Sequence, residues 1–146
     1  MIVRWQSHTP AGRVDATTVI SAVDLLPTFC ALAGAVVPAD AALDGEDQTA
    51  ALLGESRPRK GPLFWEYGRN NESFRYPQGR DRSPNLALRD GPWKLLVNAD
   101  GTGAELYDVV MDRSESHNVA HENPELVKRM TKQALDWRSS LPTLEP

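Results

Sequence analysis

Four groups of residues in this sequence are of types that could do chemistry. Cys30 is the one cysteine, His117 and His121 stand four positions apart, residues 44–47 read DGED, and Asp24 stands beside an apolar run. A thiolate could act as a nucleophile, and two histidines at this spacing could bind zinc from one helix face. Clustered carboxylates could bind calcium, and a lone one could act as a general base.

A structural role explains each group more simply. Cys30 lies in TFCALAGA, where burial raises the pKa of a thiol, so we predict a core position. Both histidines precede the helix start expected at Pro124, so their spacing does not guarantee a shared face. DGED lacks the ligand series of a dedicated calcium site and is typical of a turn and helix cap. Asp24 is predicted to be an N-cap.

The stretch at 69–85 has neither helix nor strand pattern, and it is where we predict ligand contact. It carries four arginines and follows the apolar, aromatic segment LFWEYG. Binding residues collect in loops at the rim of a sheet, and arginine forms charge-assisted hydrogen bonds with anions. The alternative is a merely solvated loop. The predicted substrate-binding residues are Glu66, Arg69, Arg75 and Arg80.

Composition excludes several classes of protein. The 146 residues are 40% apolar and 25% charged with a formal charge of −4, as in a soluble globular protein. There is no basic run of the kind that binds nucleic acid, and no apolar run of about 18 residues that would span a membrane. The first residues lack the layout of a signal peptide. An apolar run directly behind Met1 is expected of a chain cut from a longer one.

The first part of the chain should contain a strand and two helices. Residues 2–5 read as a strand, and Pro27, acceptable in a first turn, predicts a helix over 24–33. A second, short helix is predicted near 48–53. The following segment SRPRKGP, at 56–62, is predicted to be exposed linker.

The second part should contain a sheet and a long helix. Alternating apolar residues and Asp-Gly turns predict antiparallel strands, and Asn123 followed by Pro124 predicts a helix start. The apolar side of that helix should pack on the sheet. We therefore predict an α+β fold, a small antiparallel four-stranded sheet packed by a C-terminal helix. The strands are expected at 63–68, 86–89, 93–97 and 105–109, and the helix face at Leu126, Val127, Met130, Ala134, Trp137 and Leu141.

Five stretches resemble a known family, in the family's order. They are IVRWQSHTPAGRV, SAVDLLPTFCALAGA, LDGEDQTAALLGE, LALRDGPWKLL and ELYDVVMDRSESHNVAHENPELVKRM. Together they are similar to the C-terminal end of a sulfatase of the arylsulfatase / N-acetylgalactosamine-6-sulfatase type, in the alkaline-phosphatase superfamily. Gln6 and Ser7 stand where that family usually has Pro-Gly, and Arg113 stands where Pro is common; these departures lie in loops.

The resemblance implies two domains. Residues 1–60 would be a strand and helices of the sulfatase main α/β domain, a piece of a larger α/β sheet. Residues 61–146 would be the C-terminal antiparallel-sheet subdomain with its terminal helix.

The resemblance also implies what this chain lacks. Such sulfatases use a formylglycine, made from Cys or Ser in C/S-x-P-x-R, beside a bound calcium. Cys30 is followed by Ala31 and Leu32 and does not match that motif. We therefore expect no catalytic or metal-binding residue here: the chain would be an inactive C-terminal fragment of an enzyme that hydrolyses sulfate esters, with calcium and formylglycine in the missing part.

Two alternatives stay open. One is a free-standing, non-catalytic binding module for anionic, sulfated ligands; the other is the tail of a related phosphoesterase or phosphonate hydrolase. The expected partners are a missing N-terminal catalytic domain and a sulfated small molecule or glycan, with no nucleic acid or membrane. Self-association through an exposed N-terminal strand is also expected. The compartment is left open, a periplasmic or secreted parent being one option.

Overall fold

The computed structural model describes residues 1–67 and 82–142. The chain divides into two compact units, residues 1–60 and residues 61–146. Within the described ranges, no helix is long and apolar enough to cross a membrane.

The first unit contains two helices close to their predicted positions. A 3-10 turn at Ala22–Asp24 leads into α1, Leu25–Ala33, and α2 covers Thr49–Leu52. Pro27 lies in the first turn of α1, where its missing N–H costs no hydrogen bond. Gly34 ends α1 in the left-handed conformation, with φ of 65°.

The strand predicted at residues 2–5 is not formed. Residues 1–5 have no regular secondary structure, and the Ile2 side chain is 98% exposed. A strand needs a neighbour to take its hydrogen bonds, and no strand is present among the described residues of this unit. The chain instead forms a turn directly after Trp5, and Ser7 in this turn has φ of 66°. This left-handed conformation is one that glycine adopts more readily than serine.

Helix α1 has its polar side buried and its apolar side exposed. Asp24 and Thr28 are 0% and 1% exposed, whereas Cys30, expected in the core, is half-buried. The large apolar side chains on the other side are in solvent. This apolar stripe consists of Val23, 44% exposed, Leu26, 57%, and Phe29, 55%.

The Asp24 carboxylate connects three segments of the first unit. It accepts hydrogen bonds from the Ser21 amide at 2.7 Å, from the Glu46 amide at 2.8 Å and from Arg59 Nη1 at 2.6 Å. It does not cap α1 as predicted, since no hydrogen bond joins its side chain to the first-turn amides. Arg59, expected in an exposed linker, is 7% exposed at its side chain.

Thr28 and Gly45 complete this buried network. The Thr28 hydroxyl donates to the Asp24 carbonyl at 2.6 Å and accepts from the Gln48 amide at 2.9 Å. Gly45 lies so close to the 3-10 turn that precedes α1 that an added Cβ would be 1.9 Å from the Val23 carbonyl oxygen. A residue without a side chain is therefore required at Gly45.

The second unit contains the predicted sheet. Its described residues form a four-stranded antiparallel sheet in the order β1-β2-β3-β4. Gly91, with φ of 55°, and Pro92 connect β2 to β3, a two-residue hairpin that needs a positive φ. The strands are Leu63–Glu66, Leu86–Asp90, Trp93–Val97 and Glu105–Asp108.

The predicted C-terminal helix is α3, Pro124–Ser140, and it packs on one face of the sheet. Asn123 precedes it as expected, but its side-chain amide donates to the Val119 carbonyl and does not cap the helix. The predicted face is confirmed for all but its last residue: Met130 and Ala134 are fully buried with the sheet's apolar residues, whereas Leu141 lies beyond the end of α3. The core consists of Leu86, Leu88, Leu95, Val97, Leu106, Met130 and Ala134.

Gly45→Ala should lower the free energy of unfolding by about 2 kcal/mol, because the new methyl group pushes the Glu46 amide away from Asp24. Chemical denaturation would measure this. Asp44→Ala, at the exposed neighbouring position, is the control and should change stability by less than about 0.5 kcal/mol. Equal stability of the two variants would contradict the close approach.

Asp24→Asn should lower the free energy of unfolding at pH 7 by about 3 kcal/mol, since it leaves the Arg59 charge buried without a partner. Burial raises the pKa of Asp24, but the Arg59 hydrogen bonds and the Ser21 and Glu46 amides outweigh it and hold the pKa below its usual value. A lowered folded-state pKa means that the stabilisation is complete above the unfolded value of about 3.9 and disappears as the pH falls through the lower folded value.

Wild-type protein should therefore lose stability on acidification below about pH 4, and Asp24→Asn should lose less over the same range. Thermal melting from pH 7 to pH 2.5 would measure both. Asp40→Asn, at an exposed position, serves as the control. Parallel pH profiles for Asp24→Asn and wild type would show that Asp24 does not carry this effect.

Candidate functional site

The predicted substrate-binding residues fall only in part within the described chain. Glu66 ends β1 on the α3 side of the sheet; its side chain is 7% exposed and its carboxylate accepts from Arg138 Nε at 2.9 Å. Arg69, Arg75 and Arg80 lie outside the described residues.

The ends of the arginine-bearing loop are held together by backbone contacts. The Tyr67 amide donates to the Asn85 carbonyl at 2.8 Å, and the Asn85 side-chain amide donates to the Tyr67 carbonyl at 3.3 Å. The loop therefore leaves and rejoins the sheet at neighbouring ends of β1 and β2.

The sheet face opposite α3 carries charged and polar side chains among apolar ones. Pairing places Arg89 next to Lys94 and Trp65 next to Ala87 on this face. Apart from Leu63, which is buried, its residues are half-buried or exposed, and Trp65 is 43% exposed. This charged sheet face consists of two rows across the strands: Leu63, Arg89, Lys94 and Tyr107, then Trp65, Ala87, Leu96 and Glu105.

Lys94 is neutralised by a residue from the loop after β4. Its Nζ donates to both oxygens of Glu115, at 2.6 and 2.7 Å. Glu115 has φ of 53°, a conformation costly for a residue with a side chain. Glu115 is 21 residues away from Lys94 in the sequence, and no sequence pattern indicates that the two form a pair.

Arg89 differs from Lys94 in lacking such a partner. Its Nε is buried and donates to no acceptor among residues 1–67 and 82–142, and the residues directly opposite it on the neighbouring strands are Leu63 and Lys94. A buried unpaired donor is costly, so an acceptor for the Arg89 guanidinium would stabilise the face.

Tyr107 and Glu105 form the polar end of the charged sheet face. Tyr107 donates from its hydroxyl to Glu105 at 2.9 Å. Burial, that hydrogen bond and the negative charges of Glu105, Glu115 and Asp112 raise the pKa of Tyr107 to about 12. Tyr107 is therefore a neutral donor at ordinary pH, and it orients the Glu105 carboxylate.

The other residues whose types could take part in chemistry lie in local structural arrangements. The His117 amide donates to Asp112, and with Ser114 and Ser116 it holds the pKa of Asp112 below its usual value. His121 lies in a 3-10 turn. Asp47 accepts from the Thr49 amide at 2.8 Å at the start of α2, but the N-cap residue is Gln48, so DGED does not supply the predicted cap.

The described residues do not fit the calcium and formylglycine that the family implies. Across residues 1–67 and 82–142, no group of three or more His, Cys, Asp or Glu could hold a metal ion. Cys30 is followed by Ala31 and Leu32, so it cannot be the precursor of formylglycine in C/S-x-P-x-R. No catalytic step is therefore derived through these groups.

The first unit contains a cavity of about 270 Å³. The polar side chains that line it are hydrogen-bonded within the chain. The Asp15 carboxylate accepts from the amides and hydroxyls of Thr17 and Thr18 and from the Ser56 hydroxyl. The Thr18 and Thr17 hydrogen bonds hold the pKa of Asp15 far below its usual value. Arg13 donates to Ser56 at 2.8 Å. These bonds stabilise the loop and leave little to recognise a ligand.

Sequence reasoning missed Arg59, Trp65 and Arg89 as residues of interest. Arg59 gave no signal, because its partner is 35 residues away. Arg89 could have been found from the alternation in LALRD, which places it with Ala87 opposite the buried leucines.

Comparison with known proteins identifies the family. Residues 1–140 match the family model described as "N-sulphoglucosamine sulphohydrolase, C-terminal". An N-acetylgalactosamine-6-O-sulfatase of Bacteroides thetaiotaomicron is 26% identical, with 90% of this chain and 25% of the relative covered. Human arylsulfatase A is 32% identical over 82% of this chain and 22% of its own length.

A solved structure agrees with these matches. The crystal structure of Ps i-CgsB in complex with k-i-k-neocarrahexaose is similar with a TM-score of 0.68 and 31% identity, over 91% of this chain and 27% of that one. The chain thus spans about a quarter of the relatives it matches. It belongs to the sulfatase family and corresponds to its C-terminal portion.

Proposed function

We propose that this chain is the non-catalytic C-terminal part of a sulfatase that hydrolyses sulfate esters of a saccharide. The observation that carries the proposal is the orientation of α1, whose polar side is buried while its apolar stripe is exposed. The stripe is the surface on which the catalytic part of the enzyme would pack.

The energetics of α1 support this role. Arg59 and the Glu46 and Gln48 amides hold the helix through Asp24 and Thr28, so its attachment leaves Leu26 and Phe29 of the stripe exposed. Exposing neighbouring large apolar groups is unfavourable and marks interaction surfaces. Since the relatives are about four times longer than the matched segment, the expected occupant is the N-terminal catalytic domain.

The division of chemistry follows from the residues present. In the proposal the N-terminal domain supplies the formylglycine and calcium, and this chain supplies part of the substrate-binding wall. The 146-residue chain alone is therefore proposed to be inactive. A saccharide substrate is favoured because one relative is named an N-acetylgalactosamine-6-O-sulfatase and another was solved with neocarrahexaose.

Within that wall, we propose that Arg69, Arg75 and Arg80 contact sulfate or carboxylate groups of the substrate. Glu66, bound to Arg138, would position the start of their loop. Charge-assisted hydrogen bonds from arginine to oxyanions suit this task.

Leu26→Asp combined with Phe29→Asp should abolish the activity of the longer enzyme, because two charges would be buried where the catalytic domain packs. The enzyme would be expressed with the coding sequence upstream of Met1, which we expect to encode C/S-x-P-x-R in frame. Release of sulfate from a sulfated oligosaccharide would be measured, with at least a tenfold loss of activity per cell expected.

Met111→Asp is the matched control, since Met111 is 84% exposed and lies outside the stripe; it should keep activity. The proposal fails if the upstream sequence lacks the motif, if the stripe variant is as active as the control, or if the purified 146-residue chain releases sulfate by itself.

Arg75→Ala combined with Arg80→Ala should raise the KM of the longer enzyme at least about tenfold, since each charge-assisted hydrogen bond contributes roughly 1.5–3 kcal/mol. The kcat should change less, because these residues bind substrate away from the nucleophile. Arg113→Ala, at an exposed position in another loop, is the control. A KM equal to that of wild type would rule out the loop as a substrate contact.

A further inference from the structure

We propose that the charged sheet face binds one anionic sugar ring, with Arg89 pairing with its sulfate or carboxylate and Trp65 stacking on the ring. The inference deepens the proposed function and rests on it for the biological source of the saccharide. Its physical basis is independent, because it uses only residues of the second unit.

The sheet register brings the two recognition groups together. Trp65 pairs with Ala87, and Arg89 is two residues further along the same strand, so both side chains lie on one face. Such diagonal neighbours are about 7–8 Å apart. The other two residues of this square are Leu63, opposite Arg89, and Ala87, opposite Trp65; the small Ala87 side chain leaves the indole edge uncovered on that side.

The electrostatics of the face favour an anion at Arg89. Lys94 already has Glu115 as its partner, at 2.6 Å, whereas Arg89 Nε is buried with no acceptor. Sulfate and carboxylate oxygens fit the planar guanidinium fork. An anion at this position would satisfy the donor and neutralise the second of two adjacent positive charges.

Trp65 adds the apolar contact that a sugar ring needs. It is 43% exposed, and an indole offers a large rigid surface at small entropic cost. Glu105 lies on β4, three strands away from Trp65, and is therefore outside the reach of the same ring. The face combines one anchoring charge and one aromatic platform.

The test is direct binding to the complete 146-residue chain, followed by tryptophan fluorescence and calorimetry. Three probes separate the sources of the anion: a κ-carrageenan tetrasaccharide carries sulfate only, a desulfated chondroitin tetrasaccharide carries carboxylate only, and cellotetraose is neutral. Saturable binding of at least one anionic probe is expected, at least tenfold tighter than that of cellotetraose. The probe that binds identifies the group recognised.

Arg89→Met and Trp65→Ala should each weaken that binding at least tenfold, and Arg89→Lys should weaken it several-fold because it keeps the charge but loses the fork. The controls are Arg113→Met and Trp5→Ala, which remove an exposed arginine and a tryptophan of similar exposure, 42%; each should change the Kd less than twofold. Near-ultraviolet circular dichroism would check that the variants keep the fold.

The proposal is overturned if neither anionic probe binds saturably, or if the Arg89 variants bind like wild type or like Arg113→Met. Failure here leaves the proposed sulfatase role intact, since activity of the longer enzyme is measured separately. Saccharide binding without such activity would favour a free-standing binding module.

Discussion

The buried ion pair between Asp24 and Arg59 determines how the first unit is organised. Removing two charges from water is expensive, and here the cost is offset by close contacts at 2.6 Å and by two backbone amides that also donate to the carboxylate. Because this network takes the polar side of α1, the helix is fixed without burial of Leu26 and Phe29. The apolar stripe is thereby left exposed in a defined orientation.

The two sheet faces of the second unit differ in composition and in proposed role. One face and α3 supply the apolar core, with Leu88, Leu95 and Leu106 fully buried. Such a core makes the strands a rigid support, and side chains on a rigid support are well placed for binding. On the opposite face, the strained backbone at Glu115 holds Lys94 and leaves Arg89 unpaired. That asymmetry, more than net charge, gives the face its proposed specificity.

Local patterns predicted the elements well. The antiparallel strands, the start of α3 at Pro124 and the stop of α1 at Gly34 follow from alternation, proline and glycine, whose effects act over a few residues. The prediction of a strand at residues 2–5 was wrong, because an apolar pattern alone does not supply the neighbouring strand that pairing requires.

Those local patterns did not predict the contacts between residues that are far apart in the sequence. Arg59 reads as part of a proline-rich linker, yet it contacts Asp24 across 35 positions, and Glu115 reaches Lys94 across 21. Asp24 and Asn123 were correctly placed at helix starts but use their side chains differently from the expected caps. The role of the arginines at 69–80 stays a prediction, whereas the placement of Trp65 and Arg89 on one face required the sheet register.

The central claim is that the apolar stripe of α1 is covered by the catalytic part of a sulfatase. Hydroxyl-radical footprinting measures the solvent exposure of Leu26 and Phe29 directly. In the 146-residue chain both should be oxidised readily, as their exposures of 57% and 55% require, and in the longer enzyme both should be protected at least several-fold, while Met111 stays reactive in both. Equal oxidation of Leu26 and Phe29 in the two proteins would contradict the account.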